Sequence, residues 1–579
     1  MNIHAIKHDP FTGCYAVDKN TLIVKIETGK EVTGVSVFAD DPYTSETCEI
    51  WHGKKTEMKL KAELKHSLVW ETEIVPEYKR LQYYFEITSG NERLYLYDDG
   101  IHADEDCLNG SIVQYFKFAW LNPSDVCVVP EWAEDTVWYQ IFPDRYRRVE
   151  SGETGTFKPI EWGKEDTARF DSFYGGNLRG ISEKLEYIKG LGITGLYLTP
   201  IMCSDTNHRY NVHDYTLVDP QLGSNADLKE LIDNAHAMGL RIMLDAVFNH
   251  CGTRFFAWQD VVKHGKTSKY YDWFFINSDD FASIKGNTKD GRYFSFAFSA
   301  YMPKLNTNNP EVMGYMINVC KSWVALGVDG IRFDVGNEIS HTFLKKLRIE
   351  LKSIKSDLFL LGEIWHRSLP WLLGDEYDSI MNFQFMESVN NFMIDKHATA
   401  RDLMYSFNET YNNYYRQING VLFNMLDNHD VVRTVTRCGS IDGMLQELVL
   451  LMTMRGSPCI YYGTEIGLEG EIGQSHNRRC MKWRDIDDGK FNDLLTDFRE
   501  IVAIRNIFLQ FKNGDIVWKF DSGSRVVNYI WHNADGHSLE VYLNASNEKI
   551  TVNTDKTVMY SRKKEGNILL PNGIAVLYK

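Results

Sequence analysis

No uninterrupted apolar stretch of this 579-residue chain is long enough to cross a bilayer. The first residues, from Met1 to His4, also lack the basic segment, apolar core and small-residue cleavage site of a secretory leader. Both absences argue against export and against a membrane-spanning protein. We therefore expect a soluble, cytoplasmic protein.

No cluster of basic residues offsets the formal net charge of −16. A surface of this charge repels phosphate backbones and acidic membranes. We therefore exclude nucleic acid and membrane surfaces as partners.

The ten cysteines form no CxxC pair and show no spacing typical of metal ligands. We expect reduced, mostly structural thiols, which agrees with a cytoplasmic location. What the chain does contain is enough apolar sequence, 44% of all residues, to bury a large core. Its length indicates one large domain with one or two smaller ones.

Both ends of the chain show an antiparallel pattern. From Thr21 to about Phe118, alternating runs such as TLIVKIET and LQYYFEIT are separated by Gly, Asp, Pro and Asn turn signals. This pattern predicts an N-terminal β-sandwich over residues 1–122. Alternating runs return in VVNYIWH, LEVYLNA and IAVLYK, and they predict a C-terminal antiparallel β domain over residues 512–579.

Between these ends, apolar strand candidates alternate with helix-like stretches. The candidates are TVWYQIF, GITGLYLTP, RIMLDAVFNH, GIRFDV, FLLGEIW, SIMNFQF, VLFNML and SPCIYYG. Eight strand and helix repeats predict an α/β fold, a (β/α)8 TIM barrel over residues 123–511. The connection after the third strand is far longer than a usual βα loop, so we predict an inserted subdomain over about 251–308.

One barrel helix is well specified by its ends. Asn309 can cap it, Pro310 suits its first turn and Gly327 ends it. Its apolar stripe consists of Val312, Met316, Val319, Trp323 and Leu326.

Three carboxylates follow predicted strands: Asp334 in GIRFDV, Glu363 in FLLGEIW and Asp430 in VLFNMLDNHD. One acidic residue among 79 is usually at the surface or in an ion pair. Three at the downstream ends of parallel strands converge on one face of a barrel, where enzymes of this fold carry their active sites. They indicate a catalytic site.

On the fourth predicted strand, Arg332 and Asp334 share the inward face. The outward face carries Ile331, Phe333 and Val335. A buried arginine needs a partner, so we expect Arg332 to pair with Asp334 and to hold it ionised, as a nucleophile requires. Asp329, near the start of the strand, is a poorer candidate.

Glu363 ends an apolar run and is followed closely by Trp365. Burial and a neighbouring carboxylate favour the protonated form of Glu363, which is the form of a general acid. Glycoside hydrolysis needs at least two carboxyl groups, one of them protonated and the other ionised. His250 and His429 add neutral groups suited to sugar hydroxyls, although a lone histidine is more often a packing residue.

These residues carry a resemblance to a known family. LDAVFNH, GIRFDVGNE, GEIWH and LDNHD, in this order, resemble the four signature regions of the alpha-amylase family of glycoside hydrolases, family 13. MPKLN at 302–306 and the N-terminal pieces HDPFTGCYAVD and YLYDDGI resemble the subgroup of cyclomaltodextrinases, maltogenic amylases and neopullulanases.

The resemblance implies a retaining hydrolase of α-1,4-glucosidic bonds in cyclodextrins, maltooligosaccharides, pullulan or starch fragments. A sugar hydroxyl in place of water would give transglycosylation. The resemblance also implies that the N-terminal sandwich is a starch-binding-type module and that the protein is a homodimer.

The resemblance further implies roles for individual residues. Asp334 is the expected nucleophile, Glu363 the acid/base, and Asp430 the carboxylate that helps to distort the reacting sugar. The expected substrate-binding residues are Tyr210, His250, Arg332, Trp365, His429 and Arg478.

The chain departs from the family pattern at three places. Asn211 stands where the family often has Asp after the stacking tyrosine, and we expect a change in local hydrogen bonding only. Gln474 and Ser475 stand near the position of a usual Asp-Pro pair, which affects subsites beyond the reacting sugar. Around Glu150 and Glu153 the sequence has little of the Asn/Asp-rich pattern with which many relatives hold calcium. We predict that no metal or cofactor is required.

Two alternatives stay open. An α-1,6-acting glucosidase or debranching enzyme could use the same scaffold, because fold does not fix the linkage; MPKLN and the N-terminal sandwich argue against it. A non-catalytic glucan-binding protein could keep the barrel without its chemistry, and the intact carboxylates with Arg332 argue against that.

Overall fold

The computed structural model describes residues 1–44, 51–105, 114–150, 159–164, 171–282, 286–472, 476–521, 523–552 and 555–579. Contacts divide the chain into two units, residues 1–128 with 401–419 and residues 129–400 with 420–579. None of the helices in the described ranges combines the length and the apolar character that crossing a membrane requires.

The first unit contains two antiparallel sheets, and the β-sandwich prediction is confirmed. Its strands are β1 (Cys14–Ala16), β2 (Leu22–Gly29), β3 (Gly34–Asp40), β4 (Lys54–Glu57), β5 (Lys59–Glu63), β6 (Ser67–Ile74), β7 (Leu81–Ser89), β8 (Glu92–Tyr97), β9 (Gly100–His102) and β10 (Phe116–Phe118). One sheet has the order β1-β2-β6-β5, and the other has β4-β3-β7-β8-β9 with β10 on β7. Alternate side chains of β2, β3 and β7 fill the core of this unit.

The second unit contains a closed parallel barrel. The strands of this part are β11 (Trp138–Ile141), β12 (Gly195–Leu198), β13 (Met202–Ser204), β14 (Val212–Val218), β15 (Arg241–Ala246), β16 (Gly330–Phe333), β17 (Phe359–Gly362), β18 (Ser379–Asn382), β19 (Phe423–Met425) and β20 (Ser457–Tyr461). β13 and β14 pair separately, and the other eight close the barrel in chain order. Each barrel strand falls within one of the eight apolar runs, so the TIM-barrel prediction is confirmed.

The α-helices of the described residues follow one another along the chain and belong to both units. They are α1 (Glu131–Glu134), α2 (Pro143–Tyr146), α3 (Leu178–Glu183), α4 (Leu185–Gly190), α5 (Asn225–Ala237), α6 (Phe256–His264), α7 (Pro310–Leu326), α8 (His341–Lys352), α9 (Phe383–Ile394), α10 (Ala400–Asn412), α11 (Arg416–Asn419), α12 (Thr434–Cys438), α13 (Ile441–Thr453), α14 (Trp483–Asp487) and α15 (Asn492–Phe508). The insertion predicted after the third barrel strand lies between β15 and α7 and contains α6.

The end of the chain forms the predicted antiparallel sheet. Its strands are β21 (Asp515–Trp518), β22 (Val526–His532), β23 (Ser538–Asn544), β24 (Ile550–Thr551), β25 (Thr557–Glu565) and β26 (Ile568–Tyr578), in the order β21-β22-β23-β26-β24 with β25 on β26.

Helix α7 has the ends that the sequence predicts. The Asn309 side chain accepts hydrogen bonds from the backbone N–H groups of Glu311 at 2.8 Å and Val312 at 3.4 Å. Gly327 ends the helix with a left-handed φ of 108°, which a residue without Cβ adopts at little cost. Four residues of its predicted apolar stripe, Val312, Met316, Val319 and Trp323, are buried, and the helix ends shortly before β16, the strand that carries Arg332.

Replacing the cap tests this local account. Asn309→Ala leaves two helical N–H groups without their acceptor and should lower the free energy of unfolding by about 1 kcal/mol. Asn309→Ser keeps a capping oxygen and should therefore retain most of the stability that Asn309→Ala loses. Urea unfolding followed by circular dichroism measures both, and equal losses in the two variants would contradict the capping role.

Candidate active site

Arg332 joins the carboxylates that the parallel strands bring together. In the barrel register, Asp245 of β15 lies opposite Arg332 of β16, and Asp334 and Glu363 follow directly after β16 and β17. The guanidinium is fully buried. One of its terminal nitrogens, Nη1, lies 2.8 Å from Asp245 Oδ1 and 2.9 Å from Asp334 Oδ1. The other, Nη2, lies 2.8 Å from Glu363 Oε2.

This arrangement bounds the distance between the two predicted catalytic groups. Asp334 and Glu363 each contact a terminal nitrogen of one planar guanidinium, so their nearest oxygens lie within about 8 Å of each other. Carboxyl pairs of glycoside hydrolases are separated by about 5 to 9.5 Å. The structure therefore places the predicted pair at a separation that can flank a glycosidic bond.

The two oxygens of Asp334 differ in their contacts. Oδ1 accepts a hydrogen bond from Arg332, whereas Oδ2 is buried without a hydrogen-bond partner among the described residues. Because Arg332 holds the carboxylate through Oδ1, a lone pair of Oδ2 remains available to attack a carbon atom.

The backbone between Asp334 and Glu363 is strained. Val335 adopts a left-handed φ of 48°, which is unfavourable for a β-branched residue. Its N–H donates to Glu363 Oε2 at 2.9 Å, so the strained residue connects the two carboxyl groups. The expectation that Val335 continues the outward face of the strand is wrong, because β16 ends at Phe333 and the alternation ends with it.

The charge state expected for Asp334 needs correction. Burial is the largest effect and raises the pKa of Asp334 well above its ordinary value, although Arg332 lowers it. The negative charges of Glu363, Asp245 and Asp430 raise the pKa further. The expectation that Arg332 holds Asp334 ionised is therefore opposed by burial, and the guanidinium that pairs with Asp334 is shared by three carboxyls.

Asp430 lies beside two of the predicted substrate-binding residues. Its Oδ1 accepts a hydrogen bond from Arg478 Nη2 at 2.9 Å, and its Oδ2 lies 3.2 Å from His429 Nε2. The Asp430 side chain is about one-third exposed, at 35%. This carboxylate is therefore anchored by Arg478 and remains accessible to a ligand.

Most of the barrel matches a known catalytic domain. The family model described as alpha amylase, catalytic domain, matches residues 140–502. The chain belongs to the alpha-amylase family. The model described as alpha amylase, N-terminal ig-like domain, matches residues 1–122, the range predicted for the sandwich. The protein is thus a glycoside hydrolase of the class that acts on α-glucans, as the sequence predicts.

Individual relatives are similar over most of their length. The intracellular maltogenic amylase of Bacillus subtilis is 38% identical over 509 residues, which cover 87% of this chain and 84% of the relative. Neopullulanase 2 of Thermoactinomyces vulgaris is 35% identical over 560 residues, 95% of this chain and 92% of the relative. A solved cyclomaltodextrinase structure superimposes with a TM-score of 0.89 at 31% identity, with both chains fully covered.

Tyr210 and His429 form one wall of the alpha-amylase site. Their rings stack with centroids 5.3 Å apart and planes inclined by 5°, and the Tyr210 hydroxyl lies 2.6 Å from His429 Nε2. The same hydroxyl donates to Asp245 Oδ2 at 3.0 Å. Burial lowers the pKa of His429 well below its ordinary value, so this imidazole is neutral, as predicted.

His250 is also buried and neutral. Burial lowers its pKa to about 3, against the opposite effect of a hydrogen bond to the Tyr210 backbone. Nε2 lies 2.9 Å from Tyr210 O, and the ring stacks on Phe296 with centroids 4.9 Å apart. Phe296 is a site residue that the sequence reasoning missed, because nothing in SFAFSAY distinguishes it from the neighbouring aromatics.

Trp365 lies next to the predicted acid. Its ring stacks on Phe383 with centroids 3.7 Å apart, its indole N–H donates to Glu363 Oε1 at 3.2 Å, and 54% of the residue is exposed. An exposed aromatic face beside the acid suits a sugar on the acceptor side.

Asp245 is the main residue that the sequence reasoning missed. It accepts from the Tyr197 hydroxyl at 2.7 Å as well as from Tyr210 and Arg332, and it is almost fully buried. The signal was present in LDAVFNH, whose aspartate lies on an inward position of the third strand. Asp245 therefore orients both the guanidinium and the stacking tyrosine.

The three departures from the family pattern have different outcomes. Asn211 is buried, and its Oδ1 accepts hydrogen bonds from the hydroxyls of Ser204 and Thr206, as an aspartate oxygen would. Gln474 and Ser475 lie outside the described residues, as does Glu153 in the stretch compared with calcium loops. In the part of the chain that the structure describes, no group of three or more His, Cys, Asp or Glu side chains could hold a metal ion.

Proposed function

We propose that this protein hydrolyses α-1,4-glucosidic bonds of cyclodextrins, maltooligosaccharides, pullulan and starch fragments with retention of configuration. The observation that carries the proposal is the single guanidinium of Arg332 bound by both Asp334 and Glu363. The names of the similar proteins, which include a maltogenic amylase, a neopullulanase and a cyclomaltodextrinase, support these substrates.

The reaction has two steps. Glu363 donates its proton to the glycosidic oxygen as that bond breaks, while Asp334 Oδ2 forms a bond to the anomeric carbon. Glu363, now ionised, then takes a proton from water, whose oxygen attacks the same carbon and releases Asp334. When a sugar hydroxyl takes the place of water, the product is a transglycosylated oligosaccharide.

The other predicted site residues hold the sugar. Asp430, anchored by Arg478, accepts hydrogen bonds from sugar hydroxyls and helps to distort the ring toward the transition state. Tyr210 provides a face for the reacting ring, His250 and His429 supply neutral polar edges, and Trp365 packs on the acceptor sugar.

The products of three substrates test the proposal. β-Cyclodextrin, pullulan and soluble starch should all release reducing ends, and cleavage of α-1,4 bonds in pullulan should leave α-1,6 bonds within the trisaccharide product. Maltotriose as the pullulan product would instead show α-1,6 cleavage. Binding of cyclodextrin without new reducing ends would indicate a non-catalytic protein.

The pH dependence of the reaction follows from the pKa of Asp334. The nucleophile must be ionised, and burial raises its pKa, so activity is present above that raised pKa and is lost as the pH falls through it. The acid limb of kcat/KM should therefore lie above the ordinary aspartate value of about 3.9. Initial rates from pH 3 to pH 9, with stability checked at each pH, measure it. A limb at or below about pH 4 would contradict this charge arrangement.

We also propose that catalysis requires no metal ion. Full activity after extensive dialysis against EDTA is the expected result, since none of the catalytic steps uses a metal. Loss of activity that added calcium restores would refute this proposal.

A cytoplasmic location and a homodimer are further parts of the proposal. The first is supported by the name of the intracellular relative from Bacillus subtilis, and the second by the family resemblance of the N-terminal sandwich. Sedimentation at micromolar concentration should give twice the mass of the chain, and fractionation should place the enzyme with cytoplasmic markers. A monomer in the first measurement or secretion in the second would refute the corresponding part.

A further inference from the structure

The MPKLN segment returns from the insertion to the mouth of the barrel. Lys304 forms an antiparallel bridge with His250. Leu305 N–H donates to Asn249 O at 3.0 Å and Cys251 N–H donates to Pro303 O at 3.1 Å. The backbone of Lys304 is therefore fixed beside a residue of the active site.

The ammonium group of Lys304 is held by three oxygens. It donates to Asn249 Oδ1, to Glu338 O at 3.1 Å and to Glu338 Oε2 at 3.2 Å. A lysine has three N–H donors, so each of them has an acceptor here. The side chain is only 20% exposed. Most lysines are exposed to solvent, so a lysine that is buried to this extent and has an acceptor for each donor is unusual.

One contact of Lys304 leads to His250. Asn249, whose Oδ1 receives the ammonium, has its Nδ2 3.3 Å from His250 Nδ1. A neutral imidazole whose Nδ1 accepts carries its proton on Nε2, and Nε2 lies 2.9 Å from the acceptor Tyr210 O. The chain of hydrogen bonds from Lys304 thus sets the tautomer and the ring plane of His250 and anchors the backbone of Tyr210.

The other contact leads to Asp334. Glu338 ends the short turn that follows β16, and its backbone N–H donates to Val335 O at 3.0 Å. Val335 has the strained φ of 48° and donates to Glu363. Lys304 binds both the backbone carbonyl and the side-chain carboxylate of Glu338. It therefore holds the turn that follows Asp334, next to the Val335 N–H that donates to Glu363.

The geometry points to Lys304 as a positioning residue for the hydrolysis proposed above, on which this inference rests. Its ammonium fixes the turn after Asp334 relative to the loop that carries His250, although it contacts neither carboxyl of the reacting pair. Displacing catalytic groups by about 1 Å lowers the rate of the catalysed reaction by on the order of 100-fold. The effect of removing the ammonium should therefore fall on the chemical step.

Kinetics of Lys304→Met on β-cyclodextrin test this inference. We expect kcat to fall by about 10- to 100-fold, with KM changed by less than about threefold, when rates are normalised to the folded fraction measured by circular dichroism. Lys304→Arg, which keeps the charge and several donors, should recover part of kcat. Lys321→Met, at a partly exposed lysine of α7 that pairs with Glu350, is the matched control and should leave both constants unchanged.

A double-variant comparison separates positioning from stability. Asn249→Ala interrupts the same chain of hydrogen bonds, so Lys304→Met combined with Asn249→Ala should be no slower than the slower single variant. An active wild type together with a Lys304→Met enzyme whose kcat per active site is within about twofold of it would overturn this inference alone. A wild type without α-glucan hydrolysis would overturn the proposed function and this inference with it.

Discussion

Asp334→Asn and Glu363→Gln should each lower kcat for β-cyclodextrin by at least about 10³-fold, and both variants should fold. Asp334→Asn removes the oxygen that attacks the anomeric carbon, and Glu363→Gln removes the proton of the leaving group. Burial raises the pKa of Asp334, because it disfavours the charged form. A neutral amide of the same shape at this position should therefore not destabilise the folded protein. Steady-state rates and thermal unfolding of the purified variants measure both effects.

Two comparisons separate this result from a loss of structure. Asp329 lies five residues before Asp334, next to the start of the same strand, and contacts His236 at 2.7 Å and Lys355 at 2.7 Å. Asp329→Asn should therefore destabilise the barrel and leave kcat per folded enzyme unchanged. With α-glucosyl fluoride, whose leaving group needs no proton, Glu363→Gln should still form the glycosyl-enzyme and Asp334→Asn should not. Turnover of cyclodextrin by either variant at a rate close to wild type would refute the assignment.

Arg332→Met has the second largest expected effect, because it removes the guanidinium that Asp245, Asp334 and Glu363 share. Leaving buried carboxyls without their partner typically costs about 3 to 5 kcal/mol of stability. Turnover should fall by at least about 10²-fold as well, since the two catalytic carboxyls lose their common anchor. Urea unfolding and kcat of the folded fraction measure the two losses.

Arg241→Met is the matched control for Arg332→Met. Arg241 begins β15, the strand that ends near Asp245, and it binds Asp329 at 3.2 Å while its side chain is 39% exposed. We expect a small loss of stability and an unchanged kcat, because Arg241 is partly exposed and the buried Asp329 keeps its contacts with His236 and Lys355. A kinetic loss as large as that of Arg332→Met would show that any arginine that pairs with a buried carboxylate on these strands has the same effect.

The positions of Asp334, Glu363 and Arg332 could be predicted from sequence because of one geometric rule. Side chains at the ends of parallel strands meet on one face of a barrel, and alternation along a strand fixes which of them point inward. The barrel and helix α7 were predictable for the same kind of reason, since apolar periodicity and the cap at Asn309 are local properties of the sequence.

The charge balance of the site could not be predicted in this way. The number of carboxyls around one arginine depends on register between strands, and only the fold shows that Asp245 lies opposite Arg332. Phe296 was missed because the insertion has no regular period, so its contact with His250 depends on a path that sequence patterns do not determine. The left-handed backbone of Val335 is likewise set by the turn and not by residue preference.

Trapping of the covalent intermediate tests the central claim most directly. A 5-fluoro-α-glucosyl fluoride slows the second step more than the first, so the wild-type enzyme should gain the mass of one fluoroglucosyl group. Peptide mass spectrometry should place that group on Asp334, and Asp334→Asn should gain none. Label on another residue, or continued hydrolysis with inversion and no label, would contradict the account.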